Sequence, residues 1–220
     1  MATKGDTSRK PGRPPRISLD DIVAAATALG LDGLTMGAVA ERLGVTGSAI
    51  YYYVGNVEEL SALVCDRVAL SYPLPDPAGR PWGEWVVDAA WNQRRMLESM
   101  PGMAAHAMRF PSQSPGILDL VERCLVAARA SGFDPVEAMW VTRSVANYVE
   151  QWVARREAVA KVTQVVGHSP GEGLRQTALA GRYPHLEEFL RQGDPTPGED
   201  QFAYTLSLII SGATARLLNY

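Results

Sequence analysis

The sequence predicts an all-α protein, an N-terminal helix-turn-helix unit followed by a larger helical body, and three observations carry that expectation. Apolar residues recur at helical spacing along most of its 220 residues. Residues 36 to 55, MGAVAERLGVTGSAIYYYVG, have the spacing of a helix, a tight turn and a second helix. Residues 73 to 81, PLPDPAGRP, cannot continue a helix and separate a short first part from a longer second one.

Residues 1 to 16, ending RKPGRPPR, are polar and rich in Pro and Gly, so they are expected to be disordered alone. They hold Lys4, Arg9, Lys10, Arg13 and Arg16 against Asp6, a net +4. The whole chain carries −3, which leaves −7 for the remainder and concentrates positive charge at one end. Arginines on an extended Pro-containing segment, Arg13 and Arg16 above all, suit a narrow minor groove of DNA. A solvated tail is the plainer reading, and the adjoining helix-turn-helix favours the arm.

Ser18 and Asp21 predict a capping box that opens a helix through Leu19, Ile22, Val23, Ala26 and Leu29 to Gly30. Thr35 caps the next helix, and Gly44 stands where a left-handed residue must turn the chain. Val39, Leu43, Val45 and Ile50 close a small core, and Thr46 or Ser48 can cap the second helix. Its first turn is then short enough for close approach to base edges. Thr35, Thr46, Gly47, Ser48, Tyr51, Tyr52 and Tyr53 are the candidate DNA-binding residues, beside the arm. Asn56 and Glu59 predict another capping box, opening a helix with Val57, Leu60, Leu63, Val64 and Val68 inside. The expected divisions are an arm over 1–17, a DNA-binding unit over 18–70 and a ligand-binding and dimerisation unit over 71–220.

Beyond the linker, Trp82, Trp85, Val86, Ala89, Gln93, Met96, Leu97 and Met100 lie on one helix face, and MAAHAMRF forms a short segment up to Pro111. Ser114 caps a helix begun by Pro115, with Ile117, Leu120, Val121, Cys124, Leu125 and Ala128 at helical spacing. Asp134 starts a long helix with too many apolar positions for one buried stripe, so it is expected to face two partners. Residues 163 to 200 read as loop with one short helix around Leu186 to Leu190, followed by a last helix from Phe202 to Leu218.

Two cysteines, Cys65 and Cys124, fit a reducing compartment better than a disulfide framework. No apolar run approaches eighteen residues, so a membrane span is not expected and a cytoplasmic location is. No GxSxG, phosphate-cradling glycine loop or HExxH occurs, and His106, His168 and His185 have no partner at metal spacing. No catalytic residue, metal or cofactor is therefore expected.

Residues Ile22 to Leu60, with GLDGLTMGAVAERLGV and AIYYYVGNVEEL, resemble the DNA-binding domain of the tetracycline-repressor family of transcription regulators. The body resembles the ligand-binding and dimerisation domain of the tetracycline repressors through its helix order, Trp82, Arg94, Leu97 and the Gly132-Phe133 turn. The resemblance implies a homodimer, joined through residues 135–161 and 201–219, that binds a palindromic operator and loses it to a small molecule. Where the family carries a phosphate-binding lysine this chain has Val57, so that interaction is expected to be missing, with the amides and dipole at that helix end left to face a phosphate.

The same resemblance places Ala89, Gln93, Ala107 and Phe110 where the drug- and magnesium-binding residues stand, with His106 one position away, which argues against a tetracycline–magnesium effector. The residues present suit a hydrophobic, flat or polycyclic molecule. Trp91, Met96, Met100, Met103, Met108, Phe110, Met139, Tyr148 and Trp152 would surround it, with Asn92, His106, Arg109, Arg143 and Asn147 as polar fixtures. A Met and aromatic stripe at helical spacing also describes a filled core. A regulator without an effector stays open, and an open cavity between residues 91 and 152 would separate the two.

Overall fold

The computed structural model describes residues 17–109, 115–178, 182–193 and 198–217. Arg13, Arg16, Phe110 and Ser114 lie outside them. Four helices form the N-terminal part. Ser18 and Asp21 make both bonds of the capping box on α1 (Leu19–Leu29), which ends at Gly30. Thr35 caps α2 (Met36–Leu43) by accepting the Ala38 N–H, and Gly44 closes it at φ 64° and ψ 35°, a region that a side chain would penalise. The chain turns there into α3 (Gly47–Tyr51) and then α4 (Val57–Leu70). Ile22, Ala26, Val39, Ile50, Val54, Leu60 and Val64 are fully buried between these helices. Each large one stabilises the unit by about 1.5–3 kcal/mol relative to an exposed side chain.

The body is arranged around α8 (Pro135–Val166), against which α5 (Trp82–Glu98), α6 (Met103–Arg109), α7 (Pro115–Ala130) and α11 (Glu199–Leu217) all pack. Asp134 caps α8 by accepting the Val136 and Glu137 N–H groups, ahead of Pro135 in the first turn. Val141, Val145, Val149, Trp152 and Val153 form its inner stripe, while Val136, Met139 and Trp140 stand exposed on its outer side. The second apolar face expected of this helix is thus present and uncovered in the single chain. α4 packs on both α1 and α7, and so bridges the two parts.

Three local expectations are corrected. Thr46 occupies the cap position of α3 but makes no cap bond, because its hydroxyl pairs with Ser48 Oγ at 2.9 Å. The box on α4 is half formed: Asn56 Oδ1 accepts the Glu59 N–H at 2.7 Å, whereas the Glu59 carboxylate accepts from Gly55 at 2.8 Å. Residues expected as loop after 163 instead extend α8 to Val166 and form α9 (Pro170–Ala178), while the short helix expected around Leu186 to Leu190 is present as α10 (Pro184–Gln192). α9 is started by Ser169 and Glu172, a capping box within a Gly-rich stretch, and α10 by Pro184 in its first turn.

Candidate nucleic-acid interface and effector region

The outer face of α3 presents Thr46 and Ser48, both exposed, beside Gly47 and Ala49, which carry at most a methyl. Tyr51 and Tyr52 follow with 56% and 84% of their surface in water. Exposed rings ending in hydroxyls at the end of a recognition helix suit contact with sugar and phosphate. Tyr53 differs from its neighbours. It is half-buried, its ring meets Tyr52 edge-on at 5.1 Å, and its hydroxyl donates to the Ile17 carbonyl at 2.7 Å. Thr35 is exposed, with its Oγ1 engaged by its own helix.

At the start of α4, Val57 is half-buried and packs against the core, and the first turn carries Glu58 and Glu59. The amides expected to receive a phosphate are partly spent, since Gly55 and Glu59 donate to side chains there. Carboxylates beside these donors oppose an anion, so the missing lysine is not replaced locally.

In the body, the residues expected to line one pocket fall into three groups. Trp91, Tyr148 and Trp152 gather around Phe202 of α11 at ring separations of 4.8, 5.4 and 4.9 Å. The Tyr148 hydroxyl donates to the Phe202 carbonyl at 3.1 Å. Arg94 fills the centre, its guanidinium carbon 4.1 Å from the Trp152 ring, 4.8 Å from Trp91 and 5.0 Å from Phe202. It is 4% exposed and bonds Glu98 and Glu199, each at 3.0 Å, so it ties α5 to the first turn of α11. The planar guanidinium can stack and bond at once, which an ammonium cannot. Among the described residues, Arg94 Nη1 and Trp152 Nε1 are buried donors without a partner.

Met96, Met100, Met103 and His106 form the second group, buried where α5 and α6 meet the rest of the body. Burial holds the His106 pKa below its ordinary value, Arg109 adds to this, and Glu58 of α4 opposes it. Asn92 is used otherwise, its amide donating to the Tyr72 and Pro73 carbonyls of the linker at 3.1 and 3.2 Å.

The third group stands outside. Met108, Met139, Arg143 and Asn147 are exposed, and Arg109 donates back to the Ala105 carbonyl of its own helix. Arg143 and Asn147 share the outer stripe of α8 with Met139 and Trp140, so they are not interior fixtures in the single chain. Arg94, the residue that organises the aromatic cluster, is legible in the sequence only as a position of family resemblance. Its burial needs Trp152, Phe202 and Glu199 from distant parts of the chain, beside Trp91 and Glu98 of its own helix.

A cleft of about 430 Å³ opens elsewhere, between α4 and α7. Ala69, Leu70 and Pro73 form one wall, Gly116 and Leu120 the other, with Asp119, Glu122 and Arg123 at its edge. The helices nearly touch at its end, where a methyl placed on Gly116 would lie 2.5 Å from Asp66 Oδ1.

A small recognition helix with its polar first turn and two tyrosines outward, bridged by α4 to a body built on one long helix, defines a helix-turn-helix transcription regulator. Residues 74–217 match the family described as Tetracyclin repressor-like, C-terminal domain. The chain belongs to the tetracycline-repressor family, whose members are regulators rather than enzymes. The HTH-type transcriptional repressor DrrR1 of Streptomyces coeruleorubidus is 28% identical over 225 residues, spanning 94% of this chain and 82% of the relative. An HTH-type transcriptional regulator of Saccharopolyspora erythraea is 27% identical over 209 residues, 84% of this chain and 88% of the relative. The fold matches that of ActR of Streptomyces coelicolor, solved in complex with actinorhodin, with a TM-score of 0.76 at 24% identity, covering 90% of this chain and 96% of that one.

Proposed function

We propose that the chain is a homodimeric repressor that binds a palindromic operator and is released from it by a hydrophobic small molecule. The single observation carrying the effector half is the α4–α7 cleft, because one of its walls is the helix that joins the DNA-binding unit to the body. A molecule wedged between Leu70 and Leu120 binds better when α4 is tilted away, and by linkage it draws the pair of recognition helices out of register. Operator half-sites one helical turn apart, roughly 34–36 Å, tolerate little such tilt. DNA contact is assigned to Thr35, Thr46, Gly47, Ser48, Tyr51 and Tyr52 with the arm residues Arg13 and Arg16. Two chains would join through 135–161 and 201–219, where Trp140, Tyr204 and Leu208 are 64%, 64% and 55% exposed. DrrR1 is named as a repressor, and ActR is known bound to a small molecule, which supports the same reading here.

A second reading, a regulator without an effector, draws on the aromatic cluster: Arg94 occupies the space among Trp91, Tyr148 and Trp152 where the sequence pattern leads one to expect a ligand. One experiment separates the two. A duplex selected from random-sequence DNA by the purified chain is bound and challenged with a panel of apolar polycyclic compounds in a mobility-shift assay. Release by a compound whose effect is abolished in Leu120→Trp, which fills the cleft, upholds the proposal. A specific complex that no compound disturbs favours the second reading, and absence of a specific complex rejects both.

A further inference from the structure

We infer that Tyr53 is a positioning residue for the basic arm: it pins the root of residues 1–16 to the end of the recognition helix. The inference rests on the operator-binding function proposed above. The Tyr53 hydroxyl donates at 2.7 Å to the carbonyl of Ile17, 36 residues away, and Tyr53 N in turn donates to Ile50 O at 2.9 Å, directly behind α3. Ile17 is half-buried against the core and precedes the Ser18 cap of α1. One phenol thus joins the start of α1 to the end of α3.

The chain before Ile17 carries five of the protein's cations in sixteen residues. Its root at Ile17 is held by Tyr53, whose ring meets that of the exposed Tyr52 edge-on at 5.1 Å. Fixing one end of a short charged tether near its target raises the effective concentration of its cations there without adding an interaction. That matters in this chain because the start of α4 presents Val57, Glu58 and Glu59 where a cation would otherwise meet a phosphate. Tyr53 therefore acts through the arm, in contrast to Tyr51 and Tyr52, which present their own hydroxyls.

The test is Tyr53→Phe, which keeps the ring packing and removes only the hydroxyl, in the full chain and in a chain lacking residues 2–16. Binding to the selected duplex is measured across a range of salt. In the full chain the variant is expected to bind roughly two- to tenfold more weakly, the range set by one hydrogen bond. Its slope of log K against log salt should flatten toward that of the truncated chain, by about one unit for each phosphate no longer neutralised. In the truncated chain the substitution should leave both quantities unchanged. Equal weakening in both backgrounds would assign Tyr53 to DNA binding or to packing and overturn the inference. So would unaltered binding in the full chain, or a truncation that changes neither affinity nor slope. If the unmodified chain forms no specific complex, the operator reading itself fails, a result distinct from each of these.

Discussion

Lys161 Nζ lies 2.6 Å from Asp32 Oδ2, joining the last turns of α8 to the loop between α1 and α2. The DNA-binding unit is therefore held to the body at a second place besides α4. Nearby, Glu157 of the same helix accepts the Gly102 N–H at 3.2 Å, at the start of α6. Two attachments define an orientation where one would leave a swivel.

The pair is half exposed, so its contribution to stability is small and its effect falls on geometry. Asp32→Lys is expected to change operator affinity by roughly threefold to tenfold, with the exchange Asp32→Lys with Lys161→Asp restoring it. Fluorescence anisotropy with the selected duplex measures both. An exchanged protein no better than the single variant would remove the pair from the coupling.

Gly102 is constrained twice. Its φ is +87°, and a methyl there would sit 3.1 Å from Asp32 Oδ1 and 3.3 Å from the Asp32 backbone nitrogen. Gly102→Ala should cost about 1–3 kcal/mol in urea unfolding, from left-handed strain and displacement of the Asp32 loop together.

Arg94→Lys keeps the charge and loses the planar stack among Trp91, Trp152 and Phe202. A loss of about 1–3 kcal/mol is expected, visible as a lower urea midpoint with an unchanged m-value. A neutral outcome would mean that the carboxylates of Glu98 and Glu199 alone hold the arginine.

Val136, Met139, Trp140, Tyr204 and Leu208 leave an apolar surface on the outer sides of α8 and α11. Leu208→Glu is expected to shift the protein from dimer to monomer in sedimentation velocity, because each two-fold interface would receive the new charge twice. A dimer of unchanged affinity would place the interface elsewhere.

His106 has its pKa lowered chiefly by burial, so the unfolded chain binds a proton at a pH where the folded chain does not. Stability from this residue is present above its ordinary value of about 6.5 and is lost as the pH falls through the lowered folded value. Glu150 and Glu157, raised chiefly by burial, act in the opposite sense on acidification. The difference between the unmodified chain and His106→Gln isolates the histidine: between pH 8 and pH 5.5 the urea midpoint should fall further, or rise less, in the unmodified chain than in the variant.

Local chemistry determined residues 17–70 almost completely from sequence. Ser18 with Asp21, Thr35, Gly44 and the apolar spacing of Ile22, Val39, Ile50 and Leu60 all act within a few residues of themselves, and each did what its neighbours dictate. The same logic applies at Ser169 and Glu172, where surrounding glycines and prolines hide a capping box and make α9 resemble a loop. What sequence could not decide was which apolar positions enclose space and which fill it. Trp91, Tyr148 and Trp152 have the pattern of a pocket, and only the arrival of Glu199 and Phe202 from α11, with Arg94 of α5 drawn in between, turned them into packed core. Likewise three consecutive tyrosines look alike until Ile17, brought back by the folding of α1 against α4, claims the hydroxyl of one of them. Spacing along a helix states which residues share a face; what that face meets is a property of the whole chain.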